Sequence, residues 1–301
     1  MVSGLPSGWR VPMRSCCHER RGVSRESADR AVLPLLRRGK PVPVGDRWLG
    51  VPQLLASVLG DLPRFGFPGS VRMSTTVDLS AVADQANRDL EGASALQILT
   101  WAHDQFGHQL VIASSMADTV LIHLAEQVAP GIDVIFLDTG YHFVETIGTR
   151  DAVELVHNVN VINVTPEQTV AQQDATWGKN LFASNPDQCC ALRKVAPLGK
   201  ALEPYAAWAT GMRRADSPAR ANTPLVSWDA RRKLIRIAPL AAWSDEDVER
   251  YIELNSLLIN PLLSDGYTSI GCEPCTSKAS LDDPRAGRWA GFAKTECGIN
   301  L

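Results

Sequence analysis

An α/β fold, a parallel sheet with helices on both faces, is what this sequence predicts, and two observations carry it. After Met73, short apolar segments such as Leu110–Ala113 and Val134–Leu137 alternate with longer stretches of helical periodicity, the pattern from which strand–helix–strand units build a parallel sheet. Hydrophobic residues make up 45% and charged residues 21% of the chain, an ordinary globular balance that excludes a wholly disordered or fibrous protein. The longest apolar runs, Leu110–Ala113 among them, fall far short of the roughly 18 residues of a membrane span. A soluble protein with no membrane partner is therefore expected.

Each element has a local justification. Helical periodicity covers 80–90 and 94–106, the second opening on Ser94, and a buried strand is expected at 109–113. The polar stretch 114–118 turns the chain into a helix at 119–129, followed by a strand at 133–137, a helix at 144–156 and a strand at 159–164. Asn185 then supplies an N-cap, Pro186 a first helical position and Asp187 a negative charge at the positive end of the dipole. Strands follow at 206–210, 225–228 and 234–237, and Ser244-Asp245-Glu246-Asp247 opens a helix with the signature of a capping box.

Charge divides the chain. Residues 1–72 hold 12 Lys plus Arg against 5 Asp plus Glu, with 8 Pro and 9 Gly, whereas the remainder carries a net charge of −10. The basic part lacks sustained periodicity and an apolar segment of signal-peptide length, so it reads as a disordered extension or an upstream start ahead of Met73. The acidic body argues against a nucleic-acid partner. Three regions follow: an extension at 1–72, a domain at 73–275 and a mobile tail at 276–301.

Seven cysteines occur, an odd number, and without an export signal a reducing cytoplasmic compartment favours metal binding or catalysis over disulfides. Cys272 and Cys275 form a C-x-x-C within Gly271-Cys272-Glu273-Pro274-Cys275. Cys189 and Cys190 are adjacent, and neighbouring helical side chains diverge by roughly 100°, which favours a large cluster over one ion without excluding tetrahedral zinc. Counting four residues on reaches Arg193 and Lys194, a cation for each thiol. Cys16 and Cys17 lie in the extension and are set aside.

Ligands of parallel sheets bind beyond the carboxyl ends of the strands. Ser114 and Ser115 stand at one such end and Asp138 and Thr139 at another, read either as anion and ribose contacts or as ordinary caps. Arg213 and Arg214 follow a third strand, suited to phosphate or sulfate oxygens or to a solvated turn. Arg285, Arg288 and Lys294 accompany Cys297 in the glycine-rich tail, where cations lower a thiol pKa.

These residues resemble a known family. Cys189-Cys190, Ile270-Gly271-Cys272-Glu273-Pro274-Cys275-Thr276, Gly287-Arg288-Trp289, Lys294-Thr295-Glu296-Cys297-Gly298, Phe136-Leu137-Asp138-Thr139-Gly140-Tyr141-His142-Phe143 and Thr210-Gly211-Met212-Arg213-Arg214 together resemble the assimilatory, thioredoxin-dependent adenylyl-sulfate reductases. The resemblance implies an adenine-nucleotide α-hydrolase-like fold binding adenosine 5′-phosphosulfate, with a [4Fe-4S] cluster on Cys189, Cys190, Cys272 and Cys275. It implies that Cys297 attacks the sulfate sulfur, that AMP leaves, and that reduced thioredoxin releases sulfite from the S-sulfocysteine. Lys194 would link cluster and substrate, while Ser114, Ser115, Asp138, Thr139, Arg213, Arg285 and Arg288 would hold the nucleotide and its sulfate. Two departures stand out: Asn300 occupies a position that is commonly His, and the 114–119 loop lacks the glycines of the related pyrophosphatases. The competing readings are a reductase of the 3′-phosphorylated substrate, an ATP pyrophosphatase and a metal-bearing nucleotide sensor; homo-oligomerisation is left open.

Overall fold

Backbone capping sets the first helices. The structure, a computed structural model, describes residues 78–279 and 283–299; the basic extension with Cys16, Cys17 and Met73, together with Asn300 and Leu301, lies outside them. The Asp78 carboxylate accepts from the N–H groups of Ser80 and Ala81 to start α1 (Leu79–Asp89). Ser94 and Gln97 cap one another's backbone to start α2 (Ala95–Phe106), as the sequence predicts.

Six strands follow: β1 (Leu110–Ala113), β2 (Ile132–Leu137), β3 (Val159–Val164), β4 (Ala207–Thr210), β5 (Val226–Asp229) and β6 (Leu234–Ile237). They form one sheet in the order β3-β2-β1-β4-β6-β5. Neighbours from β3 to β6 pair in parallel, with Ile112 beside Val134 and Ala209, and Ala209 beside Ile237. β5 corrects the all-parallel expectation, since it runs antiparallel to β6 with Val226 opposite Ile237 and Asp229 opposite Leu234. Only residues 230–233 separate the two strands, far too few for a parallel crossover, and Lys233 takes a left-handed φ of 58° in the turn.

Strand alternation builds two layers of core. Leu110, Ile112, Val134, Phe136 and Ile235 pack with α1, α2 and α3 (Val120–Val128), joined by α9 (Asp245–Asn255), whose Ser244–Asp247 capping box also forms. Val111, Ile135, Trp208 and Leu234 point the other way, onto Leu198 and Leu202 of α8 (Ala196–Leu202), where Ile299 of the tail also packs. Helices thus cover both faces, α4 (Val144–Val156) lying between β2 and β3 in the chain. The described residues contain no helix long and apolar enough to cross a membrane.

Chain order reverses between β1 and β4. At such a switch point the connections leave in opposite directions and open a crevice beyond the carboxyl ends of the strands. Asn260, fully buried, fastens the β1 loop: its side-chain amide donates to the Met116 carbonyl and to Thr146 Oγ1, at 3.1 and 3.0 Å. Met116 adopts a φ of 58°, and Asp118 accepts from the Val120 N–H to start α3.

Candidate active site

Between β3 and α8 the chain forms α5 (Val170–Trp177), α6 (Leu181–Ser184) and α7 (Pro186–Cys190). The Asn185 side chain accepts from the Gln188 N–H at 3.0 Å and Pro186 stands at the helix start, so the expected cap is realised. Cys189 and Cys190 are buried at its end. The next turn, Ala191–Val195, is a π-helix in which the Ala196 N–H reaches back to the Ala191 carbonyl. Wide turns of this kind cluster at functional sites.

The second cysteine pair is anchored to the loop after β2. Cys272 and His142 form an antiparallel bridge, and the Glu273 N–H donates to the Tyr141 carbonyl at 2.7 Å. The Cys275 N–H closes a tight turn onto the Cys272 carbonyl at 3.0 Å. All four cysteines then line one pocket, with Tyr141, Phe182, Lys194 and Trp289. Among the described residues no three His, Cys, Asp or Glu side chains are grouped tightly enough for a single metal ion.

Burial pushes the Cys189 thiol up to about 11, and the nearby Cys272 and Cys275 add to that; burial and Cys272 raise Cys275 in the same way. The Cys189 and Cys275 thiols therefore resist ionisation unless a positive centre joins them. Lys194 supplies part of that charge. Burial opposes the ammonium charge, but Cys272, Cys297 and Cys190 outweigh it and raise its pKa, so it stays protonated. Arg193 also lines the pocket and its charge favours the Cys189 thiolate, while its donors are engaged by oxygens: Nε by the Thr139 carbonyl, Nη1 by the Gln168 carbonyl and Gln173 Oε1. Its guanidinium also lies over the Tyr141 ring, 5.2 Å from the centroid.

Cys297 meets this pocket from the tail. Its sulfur is hydrogen-bonded to Cys190, whose thiol is pushed up while that of Cys297 is held down; burial opposes the latter, and Lys194, the Ile299 N–H and Lys294 reinforce it. Lys294 pairs with Asp187 and lies over the Trp289 ring, 5.3 Å from its centroid. The tail that the sequence reads as mobile is thus docked in this conformation.

The expected basic residues fall into two groups. Arg288 is half-buried near the cysteines, donates through Nη1 to Ser269 Oγ and the Ile270 carbonyl, and packs over Trp289. Its Nε and Trp289 Nε1 are buried with no protein partner. Arg213 pairs with Asp216 and Asp245 at 3.1 and 2.7 Å, and Arg285 donates to Glu296 and to the Thr295 carbonyl.

Gly271 and Gly287 are set by close packing in this region. A Cβ on Gly271 would lie 2.0 Å from Arg288 Nη2, and one on Gly287 would lie 1.9 Å from the Ser277 carbonyl oxygen. A side-chain end yields and a backbone carbonyl does not. Gly287→Ala is therefore expected to lower stability by about 1–3 kcal/mol, whereas Gly271→Ala displaces Arg288 at smaller cost in stability. Denaturant unfolding of both variants checks the order.

At the strand ends, Ser114 Oγ accepts from the Met116 N–H at 3.2 Å, and Ser115 is exposed at the mouth of the crevice. Asp138 caps the Gly140 N–H and faces Arg150 at 3.8 Å. Thr139 is fully buried, with Oγ1 3.2 Å from Cys272 Sγ and accepting from the Tyr141 N–H at 3.3 Å. The residue that sequence reasoning misses is Arg220, which holds Glu296 through two bonds of 2.8 Å. The separation of 76 positions leaves no local signal.

Glu296 gives the docking a pH dependence. Burial would raise its pKa, but Arg220, then Arg285 and Arg288, overcome this and hold it below the ordinary 4.5. A depressed carboxylate contributes stability that is fully present above its unfolded pKa and lost as pH falls through its folded one. Tail docking is expected to persist above pH 4.5 and fail progressively below it, read as growing proteolysis after residue 284 by an acid-active protease.

Comparison with known proteins agrees with this geometry. The model of the phosphoadenosine phosphosulfate reductase domain matches residues 109–278. The adenosine 5′-phosphosulfate reductase of Mycolicibacterium smegmatis is 56% identical over 77% of this chain and 98% of its own length. That of Streptomyces coelicolor is 57% identical over 75% and 96%. Among solved structures, the phosphoadenylyl-sulfate reductase of Candida auris, in a phosphate complex, superposes with a TM-score of 0.57 at 26% identity, covering 70% of this chain and all of that one. With a family match across more than half its length and relatives this similar from end to end, the chain belongs to the phosphoadenosine phosphosulfate reductase family.

Proposed function

We propose that the chain is an adenosine 5′-phosphosulfate reductase of sulfate assimilation, with Cys297 as nucleophile and the four pocket cysteines as ligands of a [4Fe-4S] cluster. The observation that carries the reading is the convergence of Cys189, Cys190, Cys272 and Cys275 on one pocket, with Lys194 and the Cys297 thiol at it. Relatives at 56–57% identity bear the name of the unphosphorylated substrate, which favours it over the 3′-phosphorylated one.

The residues fit the cluster. Four thiols line one pocket, and a [4Fe-4S] cluster is held by four cysteine thiolates. The unpartnered N–H groups of Arg288 and Trp289 suit an anionic neighbour. When bound, the cluster supplies a fixed charge and a structural staple; the electrons come from thiols.

Protein residues perform the chemistry. Attack of an anionic thiolate on a sulfate is opposed by like charge, and Lys194, Arg285 and Arg288 spread that charge. With Cys190 committed to metal, Lys194, the Ile299 N–H and Lys294 remain to hold Cys297 ionised. Its sulfur forms a bond to the sulfate sulfur as the sulfur–oxygen bond to the phosphate breaks, and AMP departs with that electron pair. One thioredoxin thiolate then attacks Cys297 Sγ and expels sulfite; its second thiol restores Cys297 and leaves oxidised thioredoxin, a transfer of two electrons. Ser114, Ser115, Asp138 and Arg213 flank the crevice in which the nucleotide is held. Dependence on a dithiol reductant accords with a reducing cytoplasm.

Iron and acid-labile sulfide, measured on anaerobically purified protein together with zinc, test the reading when paired with sulfite release from adenosine 5′-phosphosulfate and reduced thioredoxin. About four irons per chain with turnover is the expected result. Stoichiometric zinc without sulfite release would overturn it.

A further inference from the structure

The two cysteine pairs come from distant segments, and the loop at 139–142 joins them. It holds Cys272 through Thr139 Oγ1 at 3.2 Å, through the His142 bridge and through the Tyr141 carbonyl, which accepts from the Glu273 N–H. Arg193, four positions after Cys189 on one helical stretch, holds the same loop from the other side of the ligand set. Its side chain is buried, and its fork takes three neutral oxygens at once: the Thr139 carbonyl from Nε, and the Gln168 carbonyl and Gln173 Oε1 from Nη1, at 3.2 and 3.1 Å. Gly140 gives the fork its room, for at a φ of 73° a Cβ there would lie 3.0 Å from Arg193 Nη2. The Tyr141 ring packs on both the Arg193 guanidinium and the Phe182 ring, whose centroid lies 5.4 Å away. Gln173 is fully buried; its oxygen accepts from Arg193, and its amide nitrogen has no partner among the described residues. A buried orphan donor is costly, and the bond to Arg193 is what this side chain offers in return.

From this arrangement we infer that Arg193, steadied by Gln173, is a positioning residue that braces the helix of Cys189 and Cys190 against the loop anchoring Cys272 and Cys275, so that the protein itself sets the spacing of the two ligand pairs. The inference rests on the proposed metal site for its chemical meaning. A planar fork on three oxygens fixes distance and orientation together, which a single ammonium cannot do. Groups behind the ligands that orient them are worth about 10- to 100-fold in metal affinity or activity, so a loosened brace gives up its metal faster. Arg193 also brings a positive charge to the Cys189 sulfur, and the choice of variants separates that charge from the geometry.

The test uses the full chain, purified anaerobically with its metal bound, as Arg193→Lys, Gln173→Leu and the double variant. Arg193→Lys keeps the charge and loses the fork. Gln173→Leu keeps the volume, removes the orphan amide and takes one acceptor away from Arg193. Two readouts are taken: the rate at which excess EDTA strips the metal, and the visible circular dichroism of the bound cluster, which reports how the cysteines are disposed around it. Arg193→Lys is expected to release metal at least about tenfold faster and Gln173→Leu roughly three- to tenfold faster, both with altered visible bands. The double variant should be no faster than Arg193→Lys, because Gln173 acts through Arg193 alone. Release at the parent rate in either single variant, unaltered dichroism, or effects that multiply in the double variant would each overturn the inference. Metal release does not depend on sulfate chemistry, so an unaltered chain that holds iron but releases no sulfite refutes the proposed reaction, and one that holds zinc refutes the cluster, while the release rates still decide the brace. A chain that binds no metal overturns both.

Discussion

Cys297→Ser is expected to lower sulfite release at least about 10³-fold, with iron content and visible absorbance unchanged. The substitution is nearly isosteric, and Cys297 meets the pocket from the tail without being one of the four proposed ligands, so the metal site is expected to survive. The tail also keeps its other attachments, Glu296 on Arg220 and Ile299 in the core beside Leu198 and Trp208. What changes is the nucleophile. Lys194, Lys294 and the Ile299 N–H hold a thiolate, but the same cations cannot bring a serine hydroxyl near ionisation at neutral pH. Sulfite assay and metal analysis on one preparation decide the matter; retained turnover would remove Cys297 from the reaction.

Cys272→Ser is expected to fail in the complementary way, losing iron, stability and activity together. Cys272 joins three layers of structure: its sulfur lies 3.2 Å from Thr139 Oγ1, its backbone bridges His142, and its carbonyl accepts from Thr276 Oγ1 and the Cys275 N–H. A hydroxyl is a poor iron ligand, and metal binding is coupled to folding wherever the ligands come from distant segments. Iron should fall from about four per chain toward none, and the thermal midpoint should drop by several degrees. An iron-free variant that turns over at the parent rate would contradict the structural role of the cluster.

The two variants also mark what local sequence discloses. The caps at Ser94, Asn185 and Ser244 are legible because a cap is made by residues three positions apart. Strands β1, β2 and β4 are legible because buried parallel strands read as largely apolar runs, and β3, at the sheet edge, by its Val159 and Val161 interspersed with Asn160 and Asn163. The direction of β5 follows only from pairing with β6, and periodicity carries no direction. In the candidate site the cysteines declare themselves by residue type and spacing, whereas the placement of Arg193 on the Thr139 carbonyl depends on contacts 54 positions apart. Thr139 reads as a strand-end cap and is one, for the Tyr141 N–H, while its contact with Cys272, 133 positions away, is illegible for the same reason: folding chooses the partner.

The wide turn at Ala191–Val195 bears on how this protein tolerates change. One continuous helical stretch has two obligations, presenting Cys189 and Cys190 to the pocket and Leu198 and Leu202 to the sheet. A turn closed five residues back holds one residue more than an α-turn. At 3.6 residues per turn, deleting that residue swings everything beyond it by about 100°. A lineage that straightened this helix would keep its ligand pair or its hydrophobic anchor, and would have to rebuild the other from new sequence.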